Sequence, residues 1–333
     1  MATFETIEVG DAEAGLRLDR WFRERFPGIT FGQLQKWLRT GQVRVDGKRV
    51  KTGARLEVGQ QVRVPPLGHA APKTVEKPPP RAPRPATSDE AKALKERVIF
   101  RNQAIIALDK PAGLAVQGGT KLDRHLDAML DALRFDGKER PRLVHRLDRD
   151  TSGVLLLART RVAAQELTKA FRARETRKIY LAITVGCPRP HQGKIDLALA
   201  KAGGPGQEKM VADAETGARA VTMFSVLDNA GQKVALVALM PVTGRTHQLR
   251  AHMAAISTPI LGDGKYGGRE AFIGAEMGVE SRLHLHAARL EIPDGKGKIL
   301  HFEAPLPPHF KAALSAFGFE LPREIDVFPR DGA

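Results

Sequence analysis

Cysteine is almost absent from this chain of 333 residues, and no long apolar run occurs in it. A single cysteine, Cys187, rules out an internal disulfide framework and a multi-cysteine zinc site, and it fits a reducing compartment. No apolar stretch approaches the roughly 18 to 20 residues that a membrane-spanning helix needs. The first ten residues, MATFETIEVG, lack the basic and apolar regions of a secretory signal. We therefore expect a cytoplasmic protein.

Acidic residues are too few to balance the basic ones. The 53 lysines and arginines exceed the 38 aspartates and glutamates, which gives a formal net charge of +15. Such an excess favours an anionic partner, either nucleic acid or an acidic membrane surface. A membrane-surface protein would need a basic amphipathic helix with an aromatic or leucine face, and the sequence contains no strong one. We therefore expect a nucleic-acid partner and no membrane.

A segment rich in proline and alanine, 67–96, divides the chain and is typical of an extended linker. It separates a small module, predicted at 1–66, from a large domain, predicted at 97–333. In the small module, apolar residues first recur at helical spacing and then alternate, which predicts two short helices followed by strands. In the large domain several strands follow one another without a helix between them. We therefore expect an α+β fold with a mixed, largely antiparallel sheet.

The apolar periodicity also locates individual elements. In the small module it predicts helices near 18–26 and 34–38 and strands at 42–45 and 61–64. In the large domain it predicts strands at 104–108, 154–157, 179–185, 220–227, 234–239 and 283–287. It predicts helices there at 122–134, 161–173 and 245–256.

The first candidate site segment, 144–153 (VHRLDRDTSG), is a polar stretch directly before an apolar strand. Loops held by a rigid sheet are where catalytic side chains concentrate. Asp148 has Arg146 and Arg149 as neighbours, so its carboxylate would stay ionised and can act as a nucleophile. The same residue types are also common in turns and helix caps, and the residues alone leave both interpretations open. For His145 we expect a structural hydrogen bond.

The second segment, 244–253 (GRTHQLRAHM), follows a strand and predicts the start of a helix. Arg245 can pair with a carboxylate from another loop. His247 and Arg250 are three residues apart, so they share a helix face and can contact phosphates. A solvated cationic face explains the same pattern equally well. The histidines here and in 283–287 lack the spacing to carboxylates or cysteines that is typical of a metal site, so we expect no metal.

The third segment, 174–182 (RETRKIYLA), is a basic turn that leads into a strand carrying Tyr180, one of only two tyrosines. A tyrosine among aliphatic strand residues is usually part of a core. The functional alternative is a platform on which an unstacked base lies, an interaction of about 1 to 3 kcal/mol per base.

The three segments, in this order and at these separations, resemble the RluA-type family of pseudouridine synthases. Segment 108–119 (LDKPAGLAVQGG) is similar to the family's opening strand and glycine turn, so the resemblance spans roughly 98–310. The N-terminal part, with LDRWF at 18–22 and LRTGQVRVDG at 38–47, is similar to an RNA-binding module shared with a small-subunit ribosomal protein.

The resemblance implies a role for four residues. Asp148 matches the catalytic aspartate, which attacks the sugar or the uracil ring before the base turns and is rejoined through carbon. Arg146 matches the residue that enters the RNA stack when the target nucleotide leaves it. Tyr180 matches the aromatic that stacks on the uracil and can assist proton removal from the ring, and Arg245 matches the basic partner of the aspartate. An isomerisation oxidises nothing and adds no group, so we expect no cofactor.

The resemblance also implies an RNA partner. We expect phosphate contacts from Arg149, His247 and Arg250 in the large domain. In the small module we expect them from Lys36, Arg39, Arg44, Lys48 and Arg49. Such modules often carry a serine followed by a basic residue where this chain has TFG at 30–32, which departs from the pattern. The expected partner is ribosomal RNA of the bacterial large subunit, free or in an assembling subunit; the alternatives are transfer RNA and a non-catalytic assembly factor.

Overall fold

The computed structural model describes residues 4–26, 28–66, 84–118, 124–204, 208–294 and 297–330. The chain divides into two compact units, Met1–Pro80 and Arg81–Ala333. No helix among the described residues is both long enough and apolar enough to cross a membrane.

The first unit is a three-stranded antiparallel sheet with two helices. Its elements are β1 (Glu5–Glu8), α1 (Leu18–Arg25), α2 (Phe31–Thr40), β2 (Arg44–Val45) and β3 (Gln61–Val64), with strand order β1-β3-β2. Helix α2 begins at a capping box between Thr30 and Gln33 and ends at Gly41, whose φ of 73° suits glycine. Trp21 and Phe22 are fully buried in the core between the elements. The predicted helices and strands of the small module are thus confirmed.

The second unit is built on one large sheet. Its strands are β4 (Val98–Arg101), β5 (Ile105–Lys110), β6 (Arg142–Leu143), β7 (Ser152–Ala158), β8 (Arg177–Val185), β9 (Gln192–Asp196), β10 (Leu199–Ala202), β11 (Lys209–Ala212), β12 (Val221–Ala230), β13 (Val234–Pro241), β14 (Leu285–Pro293) and β15 (Ile299–Glu303). Its helices are α3 (Ser88–Glu96), α4 (Leu126–Met129), α5 (Arg161–Ala173), α6 (Gln248–Ala255) and α7 (Pro308–Phe317), with 3-10 turns at Leu130–Leu133, Gly268–Ala271 and Ala275–Met277.

The main sheet has the order β4-β5-β7-β14-β8-β13-β12-β9, with β6 on β7 and β15 on β14. Strands β10 and β11 form a separate hairpin. The β7–β14 pair is parallel and the other described pairs are antiparallel, so the predicted mixed, largely antiparallel sheet is confirmed. In that parallel pair, His286 lies opposite Ser152 and Ala287 opposite Gly153.

Strand β7 is buried on both faces, which explains its continuous apolar sequence. Val154 and Leu156 pack on the side of α5, while Leu155 and Leu157 pack with α4 and the 3-10 turn after it. Because alternate residues of a strand point to opposite faces, both layers fix the register of β7. The loop that enters β7 is therefore anchored to a strand that is buried on both faces.

Predictions for three segments differ from the structure by more than a few residues or in the type of element. Residues 84–96 do not belong to an extended linker, because Thr87 and Glu90 form a capping box and Leu94 is buried, so α3 is stable there. The remaining predicted linker residues, 67–83, lie outside the described residues. Helix α6 begins at Gln248, not at 245. Of the helix predicted at 122–134, residues 122–123 lie outside the described part, and the rest is one α-helical turn followed by a 3-10 turn.

Candidate active site

Asp148 lies in the loop between β6 and β7, and the side chain of Lys110 holds that loop through a hydrogen bond. The Lys110 side chain is fully buried at the end of β5, and its Nζ donates to the carbonyl oxygens of Pro111, Leu114 and Arg149 at 2.8 to 2.9 Å. The Gly113 N–H donates to the same Arg149 carbonyl. A buried ammonium is tolerated only when its donors are used, so these bonds hold residues next to Asp148 in one position.

His145 fixes the entry to the same loop. Its Nε2 accepts a hydrogen bond of 2.8 Å from the Leu156 N–H, and its ring stacks on Phe171 at 4.3 Å between centroids. Burial lowers the pKa of His145 to about 3, so the ring is neutral, as an acceptor must be. The predicted structural hydrogen bond is confirmed.

Two side chains of the GRTHQLR segment lie beside the Asp148 carboxylate, whose exposed fraction is 19%. Arg250 Nη1 is 3.8 Å from Asp148 Oδ2, and His247 Nε2 is 3.8 Å from Asp148 Oδ1. Arg250 is itself held by Asp263, to which Nε and Nη2 donate at 2.7 Å each. The site thus contains an Asp148–Arg250–Asp263 row with Arg250 in the middle.

The prediction that Arg245 is the basic partner of Asp148 differs from this geometry. Arg245 precedes α6, and its Nε donates to the backbone carbonyl of Arg219 at 3.1 Å. Helix α6 begins at Gln248, whose side chain accepts from the Arg245 N–H. Arg250 therefore lies in the first turn of the helix and reaches the carboxylate, while Arg245 stays in the preceding loop.

The phosphate contact predicted for Arg250 stays a prediction, and the structure shows what already holds its side chain. The Arg250 side chain is only 9% exposed, and Asp263, which is fully buried, occupies its two best-placed donors. A buried bidentate pair of this kind holds the guanidinium in position and leaves few of its N–H donors for RNA.

His247 has an unusual backbone and two polar neighbours. Its φ is 51°, in the left-handed region, and its Nδ1 is 2.9 Å from the hydroxyl of Tyr266. Burial lowers the pKa of His247, and the charge of Asp148 opposes that shift. The ring is half-buried between a carboxylate and a phenol, and the phosphate contact predicted for it stays a prediction.

A cavity of about 520 Å³ opens beside Asp148. Tyr180, on β8, forms part of its wall, and Leu249 and Leu285 add apolar surface. Burial raises the pKa of the Tyr180 phenol, with a smaller contribution from the Asp148 charge, so the hydroxyl stays protonated. Ligand cavities are typically about 300 to 1,000 Å³, so this one suits a small organic group.

Basic side chains surround this cavity. Arg146 is exposed and lines it together with Arg245. The further basic lining residues are Arg172, Arg174 and Lys178. Arg174 and Lys178 belong to the basic segment 174–182 that the sequence analysis singled out, whereas Arg172, near the end of α5, was missed.

A second cavity, of about 570 Å³, lies on another side of the same carboxylate. It shares Asp148, His247 and Arg250 with the first. Its other basic lining residues are Arg149, Lys265 and Arg282. Arg149 is exposed, but its Nε and Nη2 donate to Asp150. The sequence analysis missed Asp263, Lys265 and Tyr266; the glycine-rich polar run LGDGKYG at 261–267 was the available signal.

In the first unit, four of the five predicted RNA contacts are exposed: Lys36, Arg39, Lys48 and Arg49. Arg44 is half-buried, and its guanidinium donates to the carbonyls of Gly41 and Gly47. Arg44 therefore holds the turn together, so the prediction of a free phosphate contact differs from the structure there. Within the part of the chain that the structure describes, no group of three or more histidine, cysteine, aspartate or glutamate residues is placed to hold a metal ion.

A mixed sheet that presents a carboxylate with an arginine partner, a half-buried tyrosine and a basic cavity is the arrangement expected of an RNA-modifying enzyme of the pseudouridine synthase class. The family model for RNA pseudouridylate synthase matches residues 104–255, and the model for the S4 domain matches residues 16–62. The chain belongs to the RNA pseudouridylate synthase family.

Known relatives cover most of the chain. Ribosomal large subunit pseudouridine synthase C of Escherichia coli (strain K12) is 36% identical over 306 residues, covering 91% of this chain and 93% of that protein. The protein of the same name from Rickettsia conorii is 33% identical over 304 residues, covering 90% and 96%. Among solved structures, human RNA pseudouridylate synthase domain containing 4 aligns with a TM-score of 0.60 and 31% identity, covering 70% of this chain and 97% of that one.

Proposed function

We propose that this protein isomerises specific uridines of bacterial large-subunit (23S) ribosomal RNA to pseudouridine, in the cytoplasm, with Asp148 as the catalytic carboxylate. The observation that carries the proposal is the position of Asp148 on a rigid loop, beside Arg250 and at the edge of a basic cavity. Relatives named for large-subunit ribosomal RNA, which align over about nine tenths of the chain, support the substrate.

The proposed reaction balances without a cofactor. An Asp148 oxygen forms a bond to the sugar or to the uracil ring, and the bond between the sugar and N1 of the base breaks. After the base has turned, a bond from the sugar to C5 forms, the C5 proton leaves, N1 gains a proton, and Asp148 is released. Arg250 compensates the negative charge of the carboxylate before attack and after release.

Tyr180 is proposed to stack on the uracil. Its place in the cavity wall beside Asp148 suits that role. Because burial and the Asp148 charge both raise the pKa of its phenol, Tyr180 is poorly suited to remove the C5 proton as a phenolate. The role proposed for Tyr180 is therefore contact with the base.

Arg146 is proposed to fill the RNA stack when the target nucleotide leaves it. Taking a base out of the stack costs a few kcal/mol, and a planar guanidinium can replace part of the lost stacking. The exposed position of Arg146 at the cavity supports this role. Arg149, Arg245 and His247 remain candidates for contacts with the RNA strand around the target.

The domain organisation is proposed as an RNA-binding module at 1–66 and a catalytic domain at 84–333. The S4 match and the four exposed basic residues Lys36, Arg39, Lys48 and Arg49 support RNA binding by the module. The catalytic boundary is moved from 97 to 84 because α3 packs Leu94 into the core of the second unit.

The test maps pseudouridine by carbodiimide treatment and primer extension. Unmodified large-subunit ribosomal RNA and bulk transfer RNA are each incubated with wild-type protein or Asp148→Asn. New stops with wild type on ribosomal RNA, absent with Asp148→Asn, are the expected result. Stops on transfer RNA alone would show that transfer RNA is the substrate in place of ribosomal RNA. Binding without stops on either RNA would favour a non-catalytic assembly factor.

A further inference from the structure

The hydroxyl of Tyr266 connects three elements around the site. It accepts a hydrogen bond of 3.1 Å from the backbone N–H of Met210, on β11. It also lies 2.9 Å from Nδ1 of His247, just before α6. Tyr266 itself belongs to the loop after α6, where its own N–H donates to the Asp263 carboxylate.

The direction of the Tyr266–His247 hydrogen bond follows from the proton count. Met210 supplies a donor, so the Tyr266 oxygen acts as an acceptor there and its own proton is free to be donated. Donation to His247 Nδ1 uses that proton. In the reverse direction the phenolic proton would have no partner among the described residues, which is the costlier arrangement.

The direction of this bond fixes the tautomer of the imidazole. A neutral imidazole has one N–H, so if Nδ1 accepts from Tyr266, the proton is on Nε2. Nε2 is the ring atom that lies 3.8 Å from Oδ1 of Asp148. That separation is within about 1 Å of hydrogen-bond length, so a small movement of the carboxylate closes it.

We propose that Tyr266 is a positioning residue, which holds neutral His247 as the Nε2–H tautomer and so directs an N–H donor at the catalytic carboxylate. Arg250 faces Oδ2 and His247 faces Oδ1, so each carboxylate oxygen has its own donor. The donor orients Asp148 for attack and stabilises the carboxylate when it is released. The inference rests on the proposed function for its kinetic readout, but the tautomer is measurable without substrate.

The surroundings of His247 keep the ring neutral. Besides Asp148, the charged groups that face it are Arg250 on α6 and Asp263 and Lys265 on the loop after α6. Burial is the largest cause of its lowered pKa, and Arg250 and Lys265 act in the same direction. Two cations lie over the Tyr266 ring, namely Arg250 again, at 5.1 Å from its centroid, and Lys209 at 5.2 Å.

The kinetic test is a double-mutant cycle on the full chain with large-subunit ribosomal RNA. Tyr266→Phe removes the donor to Nδ1, and we expect kcat to fall about tenfold with KM within about twofold, the size of one hydrogen bond. His247→Gln carries an amide N–H that reaches Asp148 without help from Tyr266. In the His247→Gln background, Tyr266→Phe should therefore lower kcat by less than about twofold. An equal loss in both backgrounds would overturn the proposal.

The pH dependence of kcat separates a positioning role of Tyr266 from a purely structural one. When neutral, His247 of Tyr266→Phe divides between both tautomers, whereas the imidazolium has an N–H on each nitrogen. The ratio of wild-type to variant kcat should therefore shrink as the pH falls through the pKa of His247 in the variant. A ratio independent of pH would contradict the proposal. Thr258→Val is the matched control, because it removes a buried hydroxyl that donates to the Met253 carbonyl outside the site.

A spectroscopic measurement keeps the proposal testable if no RNA is modified. Long-range ¹H–¹⁵N spectra distinguish the two tautomers of each of the ten histidines, and loss of one set of signals in His247→Gln assigns His247. We expect the Nε2–H pattern in wild type and a mixed pattern in Tyr266→Phe. An Nδ1–H pattern in wild type would refute the inference, whereas the absence of pseudouridine with the Nε2–H pattern present would refute only the proposed function.

Discussion

Arg250 places its guanidinium between two carboxylates, 3.8 Å from Asp148 and bidentate to Asp263 at 2.7 Å. The shorter contacts are to the buried Asp263, so Asp263 fixes the position of the Arg250 guanidinium. Arg250 in turn places a positive charge beside the Asp148 carboxylate. The side chain of Arg250 is therefore held in place without substrate, as the proposed electrostatic stabilisation of a reaction requires.

Arg250→Lys should lower kcat by about 10² to 10³, because an ammonium cannot keep the bidentate contact with Asp263 and still face Asp148. Arg245→Lys is the comparison, and it should act mainly on KM because Arg245 lies at the cavity but bonds a backbone carbonyl. Tritium release from RNA labelled at C5 of uridine measures both. A larger loss of kcat from Arg245→Lys than from Arg250→Lys would show that Arg245 is the functional partner of Asp148.

Asp263→Asn should destabilise the second unit by about 3 to 5 kcal/mol, since it removes the bidentate partner of the buried Arg250 charge and leaves only the 3.8 Å contact to Asp148. Glu303→Gln, which removes an exposed partner of Arg289, should cost about 0 to 1 kcal/mol. Urea unfolding followed by far-ultraviolet circular dichroism compares the two. Tryptophan fluorescence is unsuited, because Trp21 and Trp37 both lie in the first unit.

Gly153→Ala should prevent correct assembly of the sheet next to Asp148. Gly153 has φ 110°, and an added Cβ would lie 2.2 Å from the Ala287 carbonyl oxygen in the parallel pair of β7 and β14. We expect a loss above about 4 kcal/mol or no soluble protein. Gly231→Ala, at φ 60° with open space around it, should cost about 1 to 2 kcal/mol. Equal melting temperatures of the two variants would contradict this.

Buried histidines should make the fold sensitive to acid. Burial lowers the pKa of His145 to about 3 and those of His284 and His286 to about 4, against an ordinary 6.5. Between these values the unfolded chain binds more protons, so stability is full above pH 6.5 and falls as the pH drops towards 4 and 3. Each such histidine should cost about 2 kcal/mol at pH 5 relative to pH 7.

The measurement is the free energy of unfolding in urea at several pH values. His145→Gln should show a shallower loss between pH 6.5 and 4 than wild type, whatever its stability at pH 7. His191→Gln changes an exposed histidine and should keep the wild-type slope. A His145→Gln slope equal to that of wild type would contradict the buried-histidine account.

Neutralising Lys36, Arg39, Lys48 and Arg49 to glutamine should weaken RNA binding without lowering kcat. Each lost phosphate contact should reduce the slope of log affinity against log salt concentration by about 0.7 to 1. The matched control removes four exposed charges from the second unit that line neither cavity: Lys138, Lys298, Lys311 and Arg323. Filter binding at several salt concentrations measures the slopes, and equal slopes for both quadruple variants would argue against RNA contact by the module.

Local pattern predicted the elements with strong periodicity. Helix α5 and strands β5, β7, β8, β12 and β13 follow directly from it, and the sheet type followed from the order of elements. Short strands such as β6, β10 and β11 escaped because two to four residues carry no readable period. Helix α3 escaped because its proline-rich neighbours dominated the composition of the segment.

The site was predictable in its parts but not in its pairings. Asp148 and Tyr180 line one cavity, as their segments suggested. The choice between Arg245 and Arg250 depended on where α6 begins, and helix ends are the least certain feature of a sequence pattern. Asp263 and Tyr266 act through contacts with Arg250 and His247, and such contacts between distant segments leave no periodic trace.

Strand β14 has a consequence for when the site can exist during synthesis. The loop that carries Asp148 leads into β7, which lies on one side of β14 in the sheet. Helix α6, which carries Arg250, follows β13, and β13 lies on the other side of β14. In the described sheet β14 alone pairs with both β7 and β8, and it begins at residue 285. A nascent chain that ends before this strand holds Asp148 and Arg250 in two unjoined half-sheets. The contact between Asp148 and Arg250 therefore depends on a strand that is synthesised after both residues.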